Sequence, residues 1–214
     1  GGANTAVGSE ALAINTTGAS NTAVGYLALD ANTTADYNTA VGRAAAGANS
    51  TGTRLTAIGT GSLNSGTTGS DNTTVGYDSG GSITDGDDNT AVGSLALDAL
   101  TTADNNTAMG YSALSSDVDG AGNTAIGAYA GFSATGASGT FIGLNAGYSV
   151  TGIDNTCVGR NAGYTTTALT TGTQNVMIGM HTRGSASGAA NQIVIGYDIG
   201  GGEDNHVTIG KASN

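Results

Sequence analysis

Asn21-Thr22-Ala23-Val24-Gly25 returns as Asn38-Thr39-Ala40-Val41-Gly42 and again as Asn89-Thr90-Ala91-Val92-Gly93. The closing glycine falls at Gly8, Gly25, Gly42, Gly59, Gly76, Gly93, Gly110 and Gly127, a spacing of 17 seven times in succession. It continues at Gly143, Gly159, Gly179, Gly196 and Gly210, with spacings of 16, 16, 20, 17 and 14. A fixed period of this length marks an array of small structural units, each too small to bury a core without its neighbours.

Positions are counted from this glycine, G. The residue at G−1 is aliphatic or Met in every copy: Val7, Val24, Val41, Ile58, Val75, Val92, Met109, Ile126, Ile142, Val158, Ile178, Ile195 and Ile209. Bulky apolar residues at one register position predict a core column. In an extended strand G−3 shares that face and G−2 points to the other. Position G−3 is Thr in ten copies, then Val176, Ile193 and Val207; G−2 is mostly Ala, as in Ala6, Ala23 and Ala40. The expectation is therefore a Thr/Val face turned inward and a smooth Ala/Gly face turned outward.

Three residues after each glycine stands a second small residue, from Ala11 and Ala28 to Ala146 and Ala162, which predicts a second short strand or a bend. The rest of each unit is Thr, Gly, Ser, Asn and Asp, as in Asn15-Thr16-Thr17-Gly18-Ala19-Ser20, and these residues favour turns. No segment has apolar spacing of three and four over successive turns, so no helix is expected. A unit of 14 to 20 residues suits one coil of a parallel β-solenoid. Thirteen coils at roughly 4.8 Å each would join their apolar strips into one core.

At G−4 the repeat carries Asn4, Asn21, Asn38, Asn72, Asn89, Asn106, Asn123, Asn155 and Asn175. Asn stacks in amide ladders and tolerates turn dihedrals, so this column is read as structural. From Phe141 onward the G−2 column swells to Phe141, Cys157, Met177 and Val194, and aromatics enter at G+5 as Phe132, Tyr148 and Tyr164. The packing has to change there, which divides the chain into a regular part, 1–127, and a less regular continuation, 128–214.

Composition fits a thin core. Among 214 residues there are 38 Gly, 2 Phe, no Trp, no Pro and 10% charged side chains. The net charge of −11 comes with no basic run to neutralise a nucleic-acid backbone, so nucleic acid is not an expected partner. No apolar run approaches the ~20 residues of a membrane span, and no signal peptide opens the chain. The sequence begins inside a repeat, at Gly1-Gly2-Ala3-Asn4, as a fragment would.

No catalytic constellation is expected. The two histidines, His181 and His206, have no recurrent acidic or nucleophilic partner, and no Gly-x-Ser-x-Gly elbow is present. The clusters Asp85-Gly86-Asp87-Asp88 and Asp117-Val118-Asp119-Gly120 lack the spacing of calcium loops, so neither a metal nor another cofactor is assigned. Cys157, standing in the G−2 column, reads as a buried thiol. Tyr26, Tyr77, Tyr111 and Tyr197, all at G+1, either cover the bend beside the glycine or offer stacking faces to sugars.

The units Asn175-Val176-Met177-Ile178-Gly179, Gln192-Ile193-Val194-Ile195-Gly196 and His206-Val207-Thr208-Ile209-Gly210 resemble the coils of trimeric autotransporter adhesin heads. The earlier units, such as 21–29 and 143–148, are similar to phage tail-fibre shaft repeats. The first resemblance implies left-handed parallel β-rolls associating as trimers. The second implies a virion fibre whose C-terminal chaperone is released by self-cleavage, and a cut after Asn214 would suit it, as would an arbitrary boundary. On this reading the chain is the shaft of an extracellular homotrimer, either three separate rolls meeting through the Ala/Gly faces or one interleaved triple helix. A host-surface polysaccharide or receptor is the further partner. The alternative is an ice-binding or glycan-binding solenoid, for which a Thr column at one-coil spacing is the relevant feature.

Overall fold

The computed structural model describes residues 2–164 and 169–211; the possible cleavage end at Asn214 lies outside the described residues. The chain is all-β, a parallel β-solenoid of thirteen strands in chain order with no helix among the described residues. Residues 1–106 and 107–214 form two compact units. The change in coil composition at residue 128 falls inside the second.

The first unit holds β1 (Thr5–Val7), β2 (Thr22–Val24), β3 (Thr39–Val41), β4 (Thr56–Ile58), β5 (Thr73–Val75) and β6 (Thr90–Val92). Each strand pairs in parallel and in register with the next, so that Thr22 faces Thr39 and Val24 faces Val41. The second unit holds β7 (Thr107–Met109), β8 (Thr124–Ile126), β9 (Thr140–Ile142), β10 (Thr156–Val158), β11 (Val176–Ile178), β12 (Ile193–Tyr197) and β13 (Val207–Lys211), paired in the same way. Irregular coil lengths between β8 and β13 are absorbed in the loops, and the register of the strands is kept.

Hydrogen bonds between coils run in both directions from each strand. Thr22 N–H donates to Asn38 O of the next coil at 2.8 Å, and Gly25 N–H donates to Val7 O of the previous one at 2.8 Å. The glycine is fixed by this stacking. Gly110 has φ +140°, and a Cβ there would lie 2.6 Å from the carbonyl of Gly127 in the next coil. Only a residue without a Cβ satisfies both conditions. The segment after it is a run of turns, the bend and not the second strand of the two alternatives expected from sequence.

The face assignment read from the sequence is reversed. At G−1, Val7, Val41, Ile58, Met109, Ile126, Ile142, Ile178 and Ile209 are exposed, and Val24, Val75, Val92, Val158 and Ile195 are only partly covered. The buried column is G−2: Ala23, Ala40, Ala57, Ala91, Ala108 and Ala125 are all fully enclosed. Most strands are three residues long, so one side chain points inward and two point out. The interior is narrow because each coil closes on itself within about 17 residues, and one methyl from the strand is what fits beside the side chains arriving from the turns. Those turn residues are the bulk of the core, with Leu29, Leu55, Leu63, Ile83, Leu97 and Leu100 in the first unit and Leu114, Val150 and Leu169 in the second.

The larger G−2 residues of the second unit follow the same rule. Phe141 is buried, and its ring occupies the room left by Gly131, Gly139 and Gly147, where an added Cβ would collide with it. Outside the core, Phe132 and Tyr148 stack at 4.9 Å with planes 13° apart, and Tyr148 meets Tyr164 at 4.7 Å. Aromatics at G+5 thus form a surface stack along successive coils.

Candidate interaction face

The outward side of each strand carries two residues, one at G−3 and one at G−1. In the first unit these are Thr paired with Val or Ile in every strand from β1 to β6. In the second unit Thr continues through β10, after which β11, β12 and β13 present Val176 with Ile178, Ile193 with Ile195, and Val207 with Ile209. The pairs lie in register from strand to strand within each unit, so each unit has a two-column array of side chains that are all β-branched except Met109. The strands of this array contain no charged residue before Lys211. Ile58, Met109, Ile126, Ile142 and Ile178 are 37 to 43% exposed, which leaves much of each side chain in water. The G+1 tyrosines Tyr26, Tyr77, Tyr111 and Tyr197 are exposed beside it.

The Asn residues at G−4 hold the coil below this face. Asn21, Asn38, Asn72, Asn89, Asn106, Asn123, Asn155 and Asn175 are buried, and Asn4 is partly so. Their amides bind mainly backbone. Asn21 Nδ2 donates to Ala35 O at 2.8 Å, and Asn21 Oδ1 accepts the Asn38 N–H at 2.9 Å. Direct amide contacts in this column join Asn106 to Asn89 and Asn175 to Asn155. A second amide column, Asn15, Asn32 and Asn49 at G+7, is bonded directly at 3.0 and 3.2 Å. The sequence signal for it was the 17-residue spacing of these three asparagines.

The acidic clusters are used locally. Asp85 accepts hydroxyls from Thr67 and Thr68 at 3.0 and 2.7 Å, which holds its carboxyl below the usual range. Asp87 Oδ1 accepts the Ser70 N–H and Asp104 Oδ1 the Asp87 N–H, so both carboxylates bind turn amides of the preceding coil. The Arg54 guanidinium, hydrogen-bonded to Asp71, likewise lowers that carboxyl. Among the described residues no group of three His, Cys, Asp or Glu side chains is arranged to hold a metal. Burial pushes the Cys157 thiol up to about 12, as an unreactive core position requires. His181 Nε2 lies 3.4 Å from Asn161 Nδ2, and His206 is exposed. Among the described residues no helix is long and apolar enough to cross a membrane.

No family model, no curated protein and no solved structure matches this chain.

Proposed function

We propose that this chain is the structural shaft of an extracellular homotrimeric fibre of the phage tail-fibre or tailspike kind, non-catalytic itself and contributing to attachment at a host surface. The observation that carries the reading is the uncharged, in-register column on the outside of each unit, made of Val and Ile with Met109 the one exception. Monomeric soluble proteins normally scatter single exposed aliphatics, and a contiguous apolar patch marks an interaction surface. An array of identical coils is best matched by the same array on another copy, because coil spacing and side-chain order then agree along its length. This contact replaces the Ala/Gly contact expected from sequence, since the Ala column is inside each coil. Each unit also encloses its own core, which favours separate rolls over an interleaved triple helix.

Mass in solution by light scattering, followed by electrophoresis of the unheated protein in detergent, tests the proposal. Three chain masses and a detergent-resistant band are expected. A monomer at micromolar concentration would overturn it.

The outward turn of the sheet face also favours a second reading. Six threonines in the first unit, Thr5 to Thr90, and four in the second, Thr107 to Thr156, stand in register within their unit on the outward side of the strands at a spacing of about 4.8 Å, an array of the kind that orders ice-like water. Against it, β11 to β13 replace this Thr by Val176, Ile193 and Val207, so the hydroxyl column is absent where the aliphatic column continues. An ice-recrystallisation assay on the monomer or trimer separates the two readings.

A further inference from the structure

Asp117 is the one fully buried acidic residue among the described residues. It stands at G+7 of its coil, the position that Asn15, Asn32 and Asn49 occupy in the first unit. Asn49 serves as a neutral strut there, its Oδ1 accepting the Gly52 N–H at 3.0 Å and its Nδ2 donating to Gly52 O at 3.0 Å. Asp117 repeats the first bond, with Oδ1 accepting the Gly120 N–H at 2.8 Å, and its Oδ2 accepts Asn123 Nδ2–H at 3.0 Å. An ionised carboxylate has no hydrogen to return to a carbonyl, whereas a protonated one has.

We propose that Asp117 is a proton-operated strut of the 117–123 loop, neutral and Asn-like in mild acid and a buried anion at neutral and alkaline pH. Desolvation outweighs the hydrogen bonds this enclosed carboxylate accepts from the Gly120 and Asp119 backbone and from Asn123, raising its pKa to about 6. Asp119, exposed in the same loop, adds like-charge repulsion. The facing loop of the following coil, 134–139, has no titratable side chain. The folded chain therefore holds this proton more tightly than the unfolded chain, whose carboxyl titrates near 3.8. Stability gained from Asp117 is fully present below the lower value, is lost as pH rises toward about 6, and stays lost above it.

Thermal unfolding of the full chain and of Asp117→Asn across this range tests the proposal. The variant is expected to melt several degrees above the parent at neutral pH, with the difference shrinking as pH falls through about 6. A difference independent of pH overturns it. Because net charge also changes across this range, the readout is the difference between the two proteins and not either curve alone. If Asp117→Asn does not fold, the carboxyl carbon of Asp117 followed by NMR in the parent decides, and a midpoint in the ordinary carboxylate range sinks the proposal.

Discussion

A phenylalanine in a column of alanines is admitted by three missing methyl groups. Phe141 has Gly131, Gly139 and Gly147 around its ring: Gly139 directly before the strand, Gly147 in the turn after it, and Gly131 at the matching turn position of the preceding coil. The coil that includes Phe141 carries Gly147 at G+4, where Leu29, Leu63, Leu97 and Leu114 stand in other coils, so one aromatic ring does the work of a strand methyl plus a turn leucine. Removing the ring leaves a space that glycines cannot fill by rotamer change. Phe141→Ala is therefore expected to cost about 3–5 kcal/mol, the upper range for core truncations, as read from denaturant midpoints. Phe132→Ala, in the half-exposed stack outside, is expected to cost far less. Equal losses at the two positions would contradict the packing described.

At the scale of one coil, stability depends on amides that carry backbone bonds from one turn to the next. Asn38 Oδ1 accepts the Leu55 N–H at 2.9 Å, and Asn38 Nδ2 donates to Gly52 O at 2.9 Å, all in the buried interior. Asn38→Ala leaves the enclosed Leu55 N–H without that partner, while Gly52 O keeps the bond from Asn49 Nδ2. With an unsatisfied buried group costing on the order of 1–3 kcal/mol, a loss of about 1–3 kcal/mol is expected in thermal or chemical unfolding. Asn4→Ala, at a partly exposed position, should cost less.

The coil itself was legible from the sequence, because a glycine recurring at 17 residues, with aliphatic and Thr positions in constant phase to it, fixes parallel register before any geometry is known. What was not legible is which face is inside. Alternation tells the two sides of a strand apart, but a rule that sends bulk inward fails when the interior is one methyl deep. Most of the leucines that fill the core, Leu29, Leu63, Leu97, Leu114 and Leu100, come from turn positions G+4 and G+7, which show no strand-like alternation. Their backbone was hidden too. Leu29, Leu63, Leu97 and Leu114 all have φ between 51° and 53°, a left-handed conformation that sequence rules reserve for Gly, Asn and Asp. The column at G−5, with Asp71, Asp88, Asn105 and Asp154 all at positive φ, did carry the expected signal.

For the whole molecule, the reversed faces separate folding from association, and this makes the fibre proposal testable by substitution. Ile126 and Ile142 lie on the outward face of neighbouring strands, and Ala125 lies between Thr124 and Ile126 facing the interior. An aspartate at Ala125 would place a carboxylate in a space one methyl wide with no partner, and unfolding of the second unit is the expected result. Aspartates replacing both Ile126 and Ile142 point into water in a single chain, so circular dichroism should remain that of the parent. In a trimer the same pair would put charges from three chains into an apolar contact, and association should be lost while the fold survives. A folded monomer from the double variant, beside an unfolded Ala125→Asp, is the expected pair of outcomes. A double variant that keeps the parent's trimer mass would move the contact away from the Thr/Val face. An unfolded double variant would mean that the face stabilises the single chain itself, against the exposure seen at both isoleucines.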